Sequence, residues 1–394
     1  MRATFFHDGP TYVDTSGLYY ACVLNDALID RYARFGELAI VCRTRLLENV
    51  MGYERITRKV RIRVMPDVAS LMGLLSGWRT MMGIVEQEVV AADIVIARLP
   101  SFSGGFAIHY AKVHKKPFLV ELVGCTWDAL WNYDLRGKLL APLMFLWMRG
   151  LIRHSPVVTY VSSSFLQRRY PTNGSWGSFS DVELWSSDEG VLPQRLLKIE
   201  QFDLGRPFVI GTVGAVDVLY KGQADVIRAL RILSQVGINC EYHLIGSGNP
   251  SRLSALAEKL GVGSMVKLFG ARPHHEVATF LDELDLYIQP SHTEGMPRAL
   301  IEALSRACPA LGSHVGGIPE ILGRDCMFIP GRVSEIVKLV KGLDRQRLVS
   351  MATRNFMLAK AYDREVLSNK RADFYKFFAE RVGIEFEESA SSSR

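Results

Sequence analysis

Leu286-Tyr-Ile-Gln-Pro-Ser-His-Thr-Glu-Gly-Met-Pro-Arg-Ala-Leu-Ile-Glu302 passes from an apolar run to a helical pattern within a few residues. Leu286, Tyr287 and Ile288 before Gln289 read as a buried strand. Gly295 supplies a turn, and Pro297 suits the first helical position, where its missing N–H costs nothing. Two carboxylates, Glu294 in the turn and Glu302 in the helix, stand eight positions apart across this junction. Helical side chains lean toward the N-terminus, so Glu302 reaches back toward the space that Glu294 borders. The free N–H groups of residues 295 to 298 and the helix dipole offer a place for phosphate. A carboxylate beside that place is suited to hydroxyl groups, which donate hydrogen bonds to it. The junction therefore predicts a ligand that is both polyhydroxylated and phosphorylated.

The same alternation extends in both directions. Strands are expected at Pro207 to Val213, Glu241 to Ile245, Val266 to Phe269, Ala310 to Ser313 and from Met327. Helices are expected near 221–235, 250–260, 273–284, 297–306 and 333–343. Strands alternating with helices predict a parallel, doubly wound sheet, with ligands outside the carboxyl ends of the strands. The first half alternates less cleanly. Strands are expected at Arg2 to Phe6, Leu38 to Val41, Ile62 to Met65, Ile94 to Ala97, Phe118 to Leu122 and Val157 to Val161, with helices at about 18–34 and 71–91. This too reads as doubly wound, giving an α/β chain of two such domains facing a cleft. The charged, Ser- and Pro-containing stretch before Gln201 to Arg206 suggests the boundary there.

The segment and its neighbours resemble the retaining glycosyltransferases of GT-B fold, in particular glycosyltransferase family 4 (glycosyl transferases group 1). The resemblance is carried first by Ser291-x-x-Glu294-Gly295-Met296-Pro297-x-x-Leu300-x-Glu302-Ala303, the family's E-x(7)-E pattern. It is carried also by Gly211-Thr-Val-Gly214 with Lys221-Gly222 downstream, Leu244-Ile-Gly-Ser-Gly248, Phe269-Gly270 and Gly316-Gly317-Ile318-Pro319-Glu320, in the family's order. It implies a GT-B architecture of two Rossmann-like domains, acceptor-binding over 1–205 and donor-binding over 206–364. A crossover helix over 365–384 would return to the first domain, and a disordered tail would follow over 385–394.

The activity implied is that of a retaining hexosyltransferase. A sugar moves from a nucleoside diphosphate sugar to an acceptor hydroxyl, in bacterial surface polysaccharide or glycolipid biosynthesis. Lys221 would stabilise the leaving diphosphate, Glu302 would hold the ribose, and Glu294 would lie near the donor sugar. Gly214, Gly246, Gly248, Gly295, Met296, Pro297 and Arg298 complete the implied donor set. The base would lie around Phe269-Gly270-Ala271-Arg272, and Arg272 is counted with the donor residues. The pattern departs from the family at Ala215, where an arginine is common; Arg298 is the available substitute. No D-x-D occurs, and no metal or other cofactor is expected.

Other features leave alternatives open. Gly246 and Gly248 suit a close ligand or a simple tight turn. Thr15-Ser16-Gly17 reads as an anion site ahead of a helix or as an ordinary N-cap. Many relatives carry a histidine at the end of a first-domain strand, where this chain has Thr126-Trp127-Asp128. Asp128 could orient or deprotonate an acceptor hydroxyl and Trp127 could stack on a sugar, or the pair is a cap beside a core tryptophan. His292 is a further candidate by its place in the signature. A catalytically silent nucleotide- or sugar-binding relative is the alternative class: Ala215 and the missing histidine favour it, and Lys221, Glu294 and Glu302 oppose it. A nicotinamide-dependent oxidoreductase is disfavoured, because no G-x-G-x-x-G follows a strand with an acidic residue about 20 positions on.

Composition agrees with this picture. A chain of 394 residues suffices for two or three domains, and a net charge of +6 is too small to suggest nucleic acid. The six cysteines show no C-x-x-C pair, and Met1 leads into a short apolar strand rather than a signal peptide, which suggests a reducing cytoplasm. Leu139 to Trp147 is too short to span a bilayer and contains Pro142. With Arg149 and Arg153 behind it, this run is either a core helix with a solvated basic face or a peripheral contact with the inner face of the membrane, where a lipid-linked acceptor would lie.

Overall fold

The computed structural model describes residues 1–21, 24–47, 53–67, 71–131, 135–182, 184, 188–203 and 205–387. The chain forms two compact units: Met1–Phe179 together with the chain from Ser368 on, and Ser180–Leu367.

The first unit contains, in order, strand β1 (Arg2–Val13), β2 (Tyr19–Ala21), helix α1 (Asp26–Ala33), β3 (Glu37–Leu46), β4 (Glu54–Arg55), β5 (Arg61–Val64), α2 (Leu71–Ala91), β6 (Ile94–Leu99), α3 (Phe102–Val113), β7 (Phe118–Leu122), α4 (Thr126–Trp131), α5 (Leu135–Arg153), β8 (Val157–Tyr160), α6 (Phe165–Arg169) and β9 (Ser175–Ser178). Its parallel strands lie in the order β5-β3-β1-β6-β7-β8-β9. The centre is a run of fully buried strands: every residue of β6 and β7 is buried, the mark of a sheet covered on both faces.

Beyond Phe6 the structure departs from expectation. After a register irregularity between Phe6 and Pro10, β1 continues to Val13 and turns back antiparallel into β2. Gly17 therefore lies in a hairpin turn, at φ +81°, and not ahead of a helix. The carboxylate of Asp14 accepts from the Ser16 amide (2.9 Å), the Ser16 hydroxyl (2.7 Å) and the Leu18 amide (2.9 Å), and these bonds hold its pKa below the ordinary value. An Asp side chain that closes its own turn competes with helix formation. The first helix waits until Asp26, with Asn25 as its N-cap.

The second unit continues with α7 (Val191–Glu200), β10 (Phe208–Val213), α8 (Gln223–Gln235), β11 (Cys240–Ile245), α9 (Ser251–Lys259), β12 (Val266–Leu268), α10 (His274–Glu283), β13 (Leu286–Gln289), α11 (Arg298–Ser305), β14 (Ala310–Ser313), α12 (Ile318–Ile321), β15 (Met327–Phe328), α13 (Val333–Lys341) and α14 (Arg345–Ala359). The strands are all parallel in the order β12-β11-β10-β13-β14-β15. Counted along the chain this is third, second, first, fourth, fifth, sixth. The order reverses between β10 and β13, the switch point at which such sheets hold ligands.

The structure divides the chain at 179/180 and not at 205/206. Helix α7 belongs to the second unit because Arg195, buried, donates to the carbonyl of Leu281 (2.8 Å), and Lys198 donates to those of Asp282 (2.7 Å) and Leu284 (3.0 Å) at the end of α10. Val191 adds a small cluster with Ala307 and Phe356. Orphan carbonyls at a helix end need partners, and α7 brings two cations to them.

The last helix, α15 (Arg364–Val382), begins in the second unit, and from Ser368 on it belongs to the first. Tyr375, Phe378 and Ala379 enter the core built by Phe5, Tyr32 and Phe35. Packing continues past the expected start of the tail. Phe386 packs against Phe35 at a tilt, 5.0 Å between ring centroids, under the Arg34 guanidinium, and the Glu387 amide donates to the Arg34 carbonyl at 3.0 Å. Residues 388–394 of the expected tail lie outside the described residues. Among the described residues, no helix is long and apolar enough to cross a membrane. Because Phe386 is only partly buried, Phe386→Ala should cost about 2 kcal/mol, less than the about 3–5 kcal/mol of a fully buried Phe. Denaturant unfolding measures this.

Candidate active site

At the switch point of the second unit, the loops after β10 and β13 meet through side chains. The ammonium of Lys221 lies 2.7 Å from Oε1 of Glu294. The same oxygen accepts from the Ser291 hydroxyl (2.7 Å) and from Gln289 Nε2 (3.0 Å). Gln289 is itself fixed, since its Oε1 accepts from the buried Tyr287 hydroxyl at 2.6 Å. All described donors converge on Oε1; among the described residues none is placed on Oε2. One carboxylate oxygen thus anchors the turn.

Glu302 follows on α11, about one turn into the helix that Pro297 caps. Pro297, expected as the first helical residue, stands instead at the N-cap, and Arg298 opens the helix. Burial pushes the Tyr287 phenol far above its ordinary pKa, and the charges of Glu294 and Glu302 push the same way. The fields of both carboxylates thus reach one buried ring. Arg298 is exposed and makes no ion pair among the described residues.

His292 belongs to the same constellation. Its amide donates to the Tyr220 carbonyl (2.7 Å), and its Nε2 lies 2.7 Å from Oδ2 of Asp225, whose Oδ1 takes Arg228 at 2.8 Å. Asp225 and Gln289 are supports that the sequence reading did not find. The available signal was only polar residues at a strand end and in a first helical turn, which any surface helix carries. Gln223 is a third. It is fully buried, and its Nε2 donates to the Ala215 carbonyl (2.9 Å), which braces the loop at the position where an arginine was expected.

The glycine-bearing turns approach each other at backbone distance. The Gly214 amide donates to Ile245, that of Val216 to Ser247, and that of Gly246 to Gly270, each at 2.9 Å. A Cβ on Gly246 would stand 1.9 Å from the Gly214 carbonyl oxygen, so the expected tight approach there is of backbone to backbone. Gly248, at φ +104°, faces the Asp217 carboxylate. Gly316, at φ +56°, lies against Glu294: its Cβ would be 1.9 Å from that residue's carbonyl oxygen. The next amide, of Gly317, donates to Gly295 at 2.8 Å. Met296 packs beneath against the core. Arg272 points elsewhere, in an exposed ion pair with Glu276 (3.3 Å) across the first turn of α10.

In the first unit, Asp128 sits in the first turn of α4 and is paired with Arg169 at 2.8 Å. Arg169 also meets the Cys125 sulfur at 2.9 Å. Trp127 stacks on Trp131 (5.2 Å between centroids, 14° between planes) and meets the edge of Phe145. Asp128 and Trp127 are thus engaged within their own helix cluster. Among the described residues no group of His, Cys, Asp or Glu is arranged to hold a metal ion.

Residues 197–343, which enclose all of the switch-point cluster, match the profile of the family Glycosyl transferases group 1. Protein CapJ of Staphylococcus aureus is 28% identical over 99% of this chain and 95% of its own length. The second unit thus carries the group 1 glycosyltransferase profile. The amylovoran biosynthesis glycosyltransferase AmsK of Erwinia amylovora is 38% identical over a shorter stretch, 26% of this chain and 27% of that one. HepE of Anabaena, solved in complex with UDP, superposes with a TM-score of 0.65 at 16% identity, covering 96% of this chain and all of that one. The pair of doubly wound units is accordingly the GT-B fold, and this glycosyltransferase is an enzyme that transfers sugars.

The packing of Gly316 against Glu294 yields a test of the site's rigidity. Gly316→Ala places a methyl group on the Glu294 carbonyl in a left-handed backbone. It should destabilise the second unit by more than about 1 kcal/mol. Thermal unfolding reads the effect.

Proposed function

We propose that the enzyme moves a sugar from a nucleoside diphosphate sugar to an acceptor hydroxyl with retention at the anomeric carbon, as glycosyltransferase family 4 members do, and that it does so in the assembly of a surface polysaccharide or glycolipid. The observation that carries this reading is the ion pair of Lys221 with Glu294 at the switch point. A cation and a half-satisfied carboxylate stand side by side next to the N-terminus of α11. Phosphate is drawn to the cation and to the helix terminus, and hydroxyls to the carboxylates. HepE, which shares the fold and is solved with UDP, supports a nucleoside diphosphate donor; the polysaccharide assignment draws on AmsK.

In this reading Glu302 takes the ribose hydroxyls and the open oxygen of Glu294 takes a hydroxyl of the donor sugar. Gly214, Gly246 and Gly248 let the loops pass close to the ligand, and the amides at 295–298 face the diphosphate with Arg298 beside them. The base rests near Gly270 on backbone groups, without help from Arg272. As the bond from the anomeric carbon to the diphosphate oxygen breaks, the acceptor oxygen bonds from the same face. Its proton passes to the departing phosphate oxygen, and Lys221 stabilises the charge that develops there. No metal is required for this division of labour. Asp128 keeps a place on the acceptor side only if the acceptor displaces Arg169 from it.

A thermal-shift panel of UDP, GDP, ADP, TDP and CMP, with chelator present, tests the donor class. One diphosphate at a hundred times its dissociation constant should stabilise the fold by about 2.7 kcal/mol, and Glu302→Ala should abolish most of that gain. No shift with any of the five in folded protein overturns the reading. With the donor so identified, Lys221→Ala should lower kcat by about two to three orders of magnitude, the usual effect of losing one such electrostatic donor. The anomeric configuration of the product, read by proton NMR, should match that of the donor; an inverted product refutes the proposed mechanism.

A further inference from the structure

Helix α5 of the first unit carries its apolar residues on the wrong side for a core helix. The residues it buries are Gly137, Ala141, Met148 and Ile152. On the opposite side Leu135, Leu139, Leu143 and Leu146 are 79%, 79%, 66% and 64% exposed, and Leu140 is 51% exposed. At 100° per residue the first four fall within an arc of about 80°, a single stripe along three turns of helix. Trp131, 41% exposed at the end of α4, extends it. Scattered exposed leucines need no explanation, but a contiguous stripe of this kind marks a surface that is covered by something.

The charges beside the stripe identify what covers it. Arg136 flanks one side, Lys138 and Arg149 the other, and Arg153 closes the end, all exposed. The helix contains no acidic residue. Lys138 leans over the Trp131 ring (5.9 Å) and Arg149 over Phe145 (5.8 Å), so their stems follow the apolar surface while their charges lie at its margin. Two copies of this helix set face to face would bring like charges together, whereas an anionic surface meets all four with opposite charge. We infer that α5 docks on an anionic lipid surface, its leucine stripe entering the boundary between headgroups and acyl chains and its basic margins lying among the headgroups. This extends beyond the donor site and does not depend on it, because the stripe lies in the first unit and shares no residue with the switch-point cluster.

The experiment is flotation of the full chain with vesicles of phosphatidylcholine alone and with about one-third phosphatidylglycerol, the anionic lipid supplying the surface charge. The expected result is binding to the anionic vesicles only, weakened by salt, with each basic residue contributing about fivefold. The double variant Leu139→Glu/Leu143→Glu should bind more than about tenfold less, since both changes put a charge in the stripe. It alters only exposed positions, and its unchanged thermal unfolding serves as the folding control; Val236→Glu, an exposed apolar site in the second unit, should bind as wild type does. Three outcomes overturn the inference: no binding to anionic vesicles, undiminished binding by the leucine variant, or sedimentation showing a wild-type dimer that the leucine variant dissolves. The last would assign the stripe to a second copy of the chain.

Discussion

One oxygen atom, Oε1 of Glu294, receives Lys221, Ser291 and Gln289, and the lysine comes from a different loop from the other two. This convergence is possible only because β10 and β13 are neighbours in the sheet although three strand and helix passages separate them in sequence. The reversal of strand order between them brings their carboxyl ends together, and the loops can then meet. The partners constrain each other in turn. A largely buried carboxylate with too few donors costs several kcal/mol, and so does a buried ammonium without an anion, which keeps either from leaving while the other stays. The glycines at 246 and 316 set the distance between loops, since neither place has room for a methyl group.

The second unit was largely legible in the sequence because its information is local. A short apolar run followed by a turn residue and a helical period describes one strand and one helix, and that description repeats. Leu286–Gln289 and Ala310–Ser313 form at the residues expected, as does Phe118–Leu122 in the first unit. The errors fall where a distant partner decides. Leu18 onward has a helical period, but the Asp14 carboxylate closes a turn and β1 offers an edge to pair with, so the segment becomes a strand. The stretch before Gln201 has a linker's composition, and nothing local says that Arg195 will be buried against carbonyls 86 to 111 residues away. Phe386 lies in a charged, Ser-rich terminus whose composition suggests disorder, while the pocket that takes it is built by Phe35 and Tyr375.

The site shows the same division. Glu294 and Glu302 were legible as residue types at a spacing and Lys221 through the family resemblance; the structure brings Lys221 and Glu294 together from two loops and carries Glu302 on α11. Gln289, Gln223 and Asp225 were not, because a supporting residue is defined by what it touches. Helix α5 is a sharper case. Periodicity gives an apolar side and a basic margin but carries no sign, so it cannot say whether the leucines or the small residues face inward. The structure turns Gly137 and Ala141 inward, where α3 and α4 crowd the helix, and leaves the leucines outside.

The charge balance of the switch point explains how a diphosphate could be held there with Ala215 in place of the family's arginine. Lys221 is already compensated by Glu294, and Asp225 by Arg228; Arg298 stands exposed at the helix start. A dianionic ligand therefore finds only Arg298 uncompensated there among the described residues, and on the proposed reading it must also draw Lys221 away from Glu294. Two things make that exchange nearly even. Glu294 keeps Ser291 and Gln289 on the oxygen that the ammonium leaves, and a ligand hydroxyl can supply the donor that is lost. The remaining negative charge falls on the amides of α11, whose dipole is worth about half a unit charge. Gln223 meanwhile holds the carbonyl of Ala215, so the loop keeps its course without an arginine. Binding and catalysis are then separable. On the proposed reading the amides bind phosphate in substrate and product alike, while Lys221 gains most when the departing oxygen has its full charge, and interactions that strengthen only in the transition state are the ones that raise kcat.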